Sequence, residues 1–323
     1  MKAARYLERR LLHSALLLVA ISILAFGVTH LGPGSFLDEL RLNPRISPAT
    51  IDSLRLEYGL DRSLPVQYVR WLASVSRGDF GYSLAYNVPV TKLLGSRAKN
   101  TFLLGTSAML IAWTCALPLG IWAAFRPRSW IDRGSSWVST LLLSTPELAL
   151  AMSFMLAAAR TGIAYAGGMT SLNSEQTRWR AIADVIGHLL LPAIVLALAT
   201  APILVRHVRA AMLEAWNSPF IHAAQGHGIG NGRLLLRHAL PAAANPLISL
   251  FGLSLAGLVS GSFLIEVITG WPGLGPLFID AVFARDLHIV IGVVMLFSVV
   301  LILANFASDL LLYAVDPRVR AEC

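Results

Sequence analysis

The sequence predicts an all-α membrane protein with six transmembrane helices, and three observations carry that prediction. Of its 323 residues, 56% are hydrophobic and only 14% are charged, whereas a soluble domain carries about 25% charged residues. The mean hydropathy is +0.65. Six apolar runs each come close to the ~20 residues needed to cross a hydrocarbon core of ~30 Å.

The runs lie at 11–31, 101–125, 135–159, 185–205, 246–268 and 289–312. The first follows a basic start, Lys2 to Arg10. It is too long for a signal-peptide core, and LGPGS is a poor cleavage site, so it reads as a retained anchor. The second contains no charged residue. The third carries Glu147 directly after Pro146. The fourth is the least regular, because Pro192 and Pro202 interrupt it. Proline is tolerated in a membrane helix when neighbours satisfy the freed carbonyls.

Charge placement orients the chain. A net charge of +8 would suggest nucleic acid in a soluble protein, but here the position of the charges matters more. With the N-terminus in the cytoplasm, the inner segments 1–10, 126–134, 206–245 and 313–323 hold 13 Lys and Arg. The short outer segments 160–184 and 269–288 hold 4. The outer segment 32–100 is long enough to translocate whatever its charge. Both termini are therefore expected inside, although Arg97 and Lys99 pull the other way. Cys115 and Cys323 form no disulfide framework and no metal-ligand spacing.

Segment 32–100 has the markers of a folded cap. Ser47 is an N-cap followed by Pro48 at the first helical position. Ile51, Leu54 and Tyr58 share a helix face, and Gly59 closes it. A second helix runs from Pro65 to about Val75 and carries Val66, Val69 and Trp71. GDFGYS reads as a turn.

Segment 206–245 is far longer than a minimal hairpin. Ser218 is an N-cap candidate, with Pro219 at the first helical position, and the helix FIHAAQ follows. Gly226 or Gly228 ends it. GIGNG is a flexible break, and the amphipathic RLLLRHAL leads back through Pro241 and Pro246. A helix of about two turns is unstable alone, so it must pack on something. A groove on a partner protein is the natural candidate.

The spacing of this segment resembles the EAA loop of ABC importer permeases, which reads Glu-Ala-Ala, three residues, Gly, nine residues, Ile-x-Leu-Pro. Here the pattern falls on His222, Ala223, Ala224, Gly228, His238, Leu240 and Pro241, with His222 in place of the glutamate and His238 in place of the isoleucine. Three further stretches resemble one permease of the oligopeptide/dipeptide (peptide/nickel) family. They are YGLDRSLPVQYVRWL with RGDFGYSL, the segment SGSFLIEVITGWPGLGPLFIDAVFARDLHIVIG, and the ending DLLLYAVDPRVR. The resemblance runs from YLERRLL to Arg320.

That resemblance implies a type I ABC importer permease-like bundle in the cell (inner) membrane of a bacterium or archaeon. Its expected parts are 1–31 (tail and first helix), 32–100 (extracytoplasmic cap), 101–312 (a five-helix core containing the loop 206–245) and 313–323 (cytoplasmic tail). Pro219, Phe220, His222, Ala223, Ala224, Gly228, Leu240 and Pro241 are expected to couple the chain to an ATPase subunit. The implied partners are a second homologous permease, two ATPase subunits, an extracytoplasmic substrate-binding protein and the bilayer, with no nucleic acid. No cofactor is expected on this chain, because ATP and Mg belong to the partners.

An acid within a bilayer is costly and should face the bundle interior or water. Glu147 and Glu266 are therefore pathway candidates, and Asp309 with Asn305 suits inter-helix contacts. The sequence has no GxxxxGK[ST], HExxH or GxSxG, so no catalytic residue and no metal site are expected. The alternative reading is an ATP-independent secondary transporter or channel.

Overall fold

The computed structural model describes residues 2–31, 41, 47–57, 59, 61–162, 165, 167–171 and 177–315. Helices α1 (Lys2–Leu31), α2 (Pro48–Glu57) and α3 (Leu64–Val75) come first. A two-residue hairpin, β1 (Tyr82–Ser83) and β2 (Val88–Pro89), follows. Then come α4 (Val90–Phe125), α5 (Trp130–Ser144), α6 (Glu147–Thr161), α7 (Arg178–Trp216) and α8 (Pro219–Gly226). Helices α9 (Asn231–Ala242), α10 (Ala244–Thr269), α11 (Leu274–Phe283) and α12 (Leu287–Val315) complete the described residues. Among the described residues four helices, α1, α4, α7 and α12, are long and apolar enough to span a membrane alone. Three pairs of consecutive helices, each broken at a short joint, reach that length together.

The predicted third span differs most from expectation. It breaks at Pro146 into α5 and α6, bent by 99°. Proline denies the helix an N–H and its ring clashes with the preceding turn. Thr145 accordingly leaves the helix with ψ 121°. At 15 residues each, α5 and α6 measure about 22 Å and neither spans a bilayer alone. The fourth span differs in the opposite sense. Both prolines lie inside one continuous helix of 39 residues, and both are buried. Neighbouring helices surround α7, so it forms the centre of its bundle.

The chain divides into two compact units. The larger comprises the described parts of 1–3, of 101–271 and of the segment from 301 onward. Its core is built along a stripe of α4, where Ala108, Ala112, Ala116 and Gly120 recur every four residues. Small side chains let helix backbones approach, which is the main source of packing energy between membrane helices. At Gly120 an added Cβ would meet Val208 Cβ at 2.7 Å and the Val205 carbonyl at 3.0 Å. At Gly252 it would meet Ser308 Cβ at 2.2 Å, so α10 and α12 also touch through a glycine.

The smaller unit comprises the described parts of 4–100 and of 272–300. Ser47 Oγ accepts from the Thr50 N–H at 3.2 Å, and Gly59 has φ +64°, so both predicted ends of α2 form. Ile51 is 2% exposed. Leu54 and Tyr58 lie outside the described side chains. On α3 the packed face is Tyr68, Trp71, Leu72 and Val75, set against Phe26 of α1 and Ile291 and Met295 of α12. Val66 and Val69 point outward. GDFGYS turns at Gly78 and Gly81, but its last two residues form β1, paired Tyr82 with Pro89 and Ser83 with Val88.

Asp286, only 2% exposed, holds this hairpin. Its Oδ2 accepts from Ser83 Oγ at 2.7 Å and from the Ala85 N–H at 3.2 Å. Its Oδ1 accepts from Ile289 N–H at 3.4 Å, which caps α12.

Candidate functional site

Helix α8 begins two residues after α7 ends. Ser218 precedes it in extended conformation, and Pro219 occupies the first turn. Ser218 Oγ does not cap α8 as expected; it donates back to the Ala215 carbonyl at 2.6 Å, tightening the end of α7. The other end follows the expected chemistry. Gly228 has φ +78°, a left-handed conformation that glycine adopts without penalty. Its N–H donates to Gln225 O at 2.9 Å, and the Ile229 N–H donates to Ala224 O at 3.3 Å. This pair of bonds is a Schellman closure, which satisfies the last carbonyls and brings the flanking apolar residues together. Ile229 and Ala224 do pack against the core of the larger unit.

One face of α8 is therefore anchored and the other is open. Ile221 is fully buried and Ala224 half-buried. Phe220, at 49% exposed, faces outward with Pro219, His222, Ala223 and Gly228. His222 Nδ1 lies 3.0 Å from the Ser218 carbonyl. A carbonyl only accepts, so that nitrogen carries the hydrogen and Nε2 points away from the bond.

The GIGNG stretch is shorter as a break than expected, because Asn231 and Gly232 are already helical. Within α9 a π-helical turn spans Leu235–Ala239. Bonding between residues five apart brings Leu234 and Ala239 onto one face, and both are fully buried. Leu240 and His238 are half-buried, and Pro241 is exposed.

The two acids expected in the pathway occupy different settings. Glu147 is the first residue of α6, at the 99° break and not within a continuous span. Its Oε1 is buried without a hydrogen-bond partner. Glu266 is fully buried in α10 and has interactions of its own. Among the described residues no group of three or more His, Cys, Asp or Glu side chains is placed to hold a metal ion.

Sequence reasoning missed the contacts that brace α7 just before α8. Arg209 Nε and Nη2 donate to Asp132 Oδ1 and Oδ2 at 2.6 and 3.0 Å. The ring centroids of Phe125 and Trp216 are 4.6 Å apart. Both contacts tie the α4–α5 corner to the end of α7. The only local signal was the spacing of Ser129 and Asp132 as a helix start, which does form, with Ser129 Oγ accepting from the Asp132 N–H.

The chain is similar along its length to known membrane transport proteins. The family model for the binding-protein-dependent transport system inner membrane component matches residues 116–321. The model for the N-terminal part of such membrane components matches 3–104. The oligopeptide transport system permease protein AppB of Bacillus subtilis is 36% identical across 98% of this chain and 99% of its own. OppB, an oligopeptide transport system permease protein of Mycobacterium bovis, is 34% identical with the same coverage. The glutathione transport system permease protein GsiC of Salmonella paratyphi A is 31% identical across 98% of each. Among solved structures, a chain from the inward-facing MetNI methionine ABC transporter superposes with a TM-score of 0.55 at 21% identity. It covers 69% of this chain and 96% of that one, and shows a shared fold. This chain belongs to the binding-protein-dependent transport system inner membrane components, as a multi-pass ABC importer permease of the oligopeptide/dipeptide transporter family.

Proposed function

We propose that the chain forms half of the translocation pathway of an ATP-driven importer for peptides, and that α8 is its mechanical link to an ATPase subunit. The substrate class follows from the named substrates of the relatives, two oligopeptide permeases and one for glutathione, itself a tripeptide. A second homologous permease completes the pathway. A binding protein delivers substrate to the outer cap 32–100, and two ATPase subunits meet the inner face, where both termini lie. ATP-driven closure of those subunits moves α8 and switches the bundle between outward and inward access.

The observation that carries the reading is the two-faced α8. A helix of 8 residues cannot hold its fold in water. This one is held from behind by Ile221 and leaves Phe220 and Ala223 uncovered, as an anchor and a small contact surface for a groove.

The test is reconstitution of the chain with its co-purifying subunits, followed by measurement of peptide-stimulated ATP hydrolysis and uptake. Uptake without any ATPase would support a secondary transporter and sink this reading. Ala223→Trp is expected to abolish uptake while the permease stays folded. Ala224→Trp faces the bundle and is expected to destabilise the permease itself. Normal uptake by the Ala223 variant would mean that α8 docks nowhere tight.

A further inference from the structure

Deepening the peptide-import reading on which it rests, we infer that the Glu147 carboxylate is the subsite for a primary ammonium group, the free amino terminus of the peptide in transit.

Asp132 and Asp184 of the larger unit are hydrogen-bonded at both carboxylate oxygens, and Glu266 and Asp309 have interactions of their own. Asp132 accepts from Arg209 and from the Arg128 N–H. Asp184 accepts from the Ser171 N–H at 2.7 Å and from Ser171 Oγ at 2.6 Å. Glu147 is different. Its Oε1 is buried and bonded to nothing, while the residue as a whole stays half-exposed and can be reached from one side. A buried acceptor without a donor is costly, and such an orphan in a native structure calls for a missing partner. An acid in the membrane-spanning part of a transporter marks the substrate or ion path.

The surroundings select the partner. Glu147 starts α6 where that helix meets α7 and α10. A methyl added to Gly261 of α10 would lie 3.4 Å from Oε1, 3.9 Å from Oε2 and 3.5 Å from Leu196 Cδ1 of α7. Both carboxylate oxygens thus face a recess that exists because residue 261 has no side chain, with an apolar wall behind it. A carboxylate only accepts, so the ligand must supply N–H or O–H donors and positive charge. No metal-holding group of His, Cys, Asp or Glu forms among the described residues, so one carboxylate suits a single monovalent cation. A peptide's terminal ammonium has that charge, three donors and a size that a glycine recess accommodates.

The test uses the assembled transporter in proteoliposomes with saturating binding protein. The probes are a tripeptide with a free amino terminus and the same tripeptide N-acetylated. Glu147→Gln, nearly isosteric, is expected to lower kcat/KM for the free peptide about tenfold or more, with a far smaller change for the acetylated one. Any preference contributed by the binding protein is common to both permeases and cancels in the ratio. Glu147→Asp, which keeps the charge, is expected to recover part of the loss. Unchanged import of the free peptide by Glu147→Gln overturns the assignment. So does equal loss with both probes, or a loss accompanied by lowered thermal stability of the complex. A wild-type transporter that imports both peptides equally also overturns it but leaves peptide import standing. A wild type that imports neither refutes peptide import itself, and the subsite with it.

Discussion

Arg209 and Asp132 lie 77 residues apart in the sequence and meet in a two-pronged ion pair with contacts of 2.6 and 3.0 Å. The side chain of Asp132 is 8% exposed and that of Arg209 is 32% exposed. This asymmetry sets the cost of breaking the pair. Arg209→Ala strands a nearly buried carboxylate that keeps only the Arg128 N–H at 2.8 Å. Breaking a fully buried pair costs about 3–5 kcal/mol. Here the partial exposure of Arg209 reduces the expected loss to about 2–3 kcal/mol. Asp132→Ala leaves an arginine that can reach water but removes the acceptor for Arg128, again about 2–3 kcal/mol.

If the losses were independent, the double variant would lose about 5 kcal/mol. Once either partner is gone, however, the ion pair cannot be broken a second time. The double variant is expected to lose about 3 kcal/mol, a coupling of about 2 kcal/mol. Unfolding of the purified permease in mixed micelles with increasing denaturing detergent measures all four corners of the cycle. Additivity within about 0.5 kcal/mol would show that the pair contributes nothing and refute the reasoning. The charge swap Asp132→Arg with Arg209→Asp should restore the attraction but not full stability, because the Arg128 N–H then lacks its acceptor.

Two further outcomes follow from the packing. Asp286→Ala removes the acceptor for Ser83 Oγ and the Ala85 N–H and the cap of α12. The expected cost is about 2–3 kcal/mol, read as faster backbone hydrogen exchange over 82–90; unchanged exchange there would show that the hairpin is held by other contacts. Gly120→Ala places a methyl against Val208 and the Val205 carbonyl, and is expected to cost about 1–3 kcal/mol in the same detergent assay. Val208→Ala should recover only part of that loss, because the backbone oxygen remains, and full recovery would contradict the close approach of α4 and α7.

What was legible in the sequence was local. Ser47, Pro48 and Gly59 bound α2 because caps act through neighbours within four residues. Gly228 marked the closure of α8 for the same reason. The EAA-like spacing located the outward helix, but spacing could not distinguish Ala223 from Ala224, which differ by one step of about 100° around the helix. Nor could hydropathy say that Pro146 breaks its span while Pro192 and Pro202 do not. All three sit in apolar runs, and the difference lies in whether neighbouring helices surround the site. The Asp132–Arg209 pair and the Asp286 network were invisible because their partners lie far apart along the chain.

The bracing of α8 has a mechanical consequence under the proposed function. Only Asn217 and Ser218 separate α8 from α7, and Ser218 Oγ is bonded back onto α7. The joint is therefore short and internally bonded. Ile221 keys α8 into the same core that holds Leu204, Val208 and Met212 of α7. A push on Phe220 or Ala223 cannot be absorbed by the joint and must displace the end of α7. There it meets the α4–α5 corner through Trp216 with Phe125 and through Arg209 with Asp132. Both contacts are discrete, a ring pair and an ion pair, so the corner either follows α7 or lets go. If it follows, the movement passes along α5 to the bend at Pro146, where Glu147 sits. Variants that release the corner should therefore spare ATP hydrolysis by the assembled transporter and lower the amount of substrate moved per ATP. Loss of hydrolysis and uptake in constant proportion would mean that the corner carries no part of the movement.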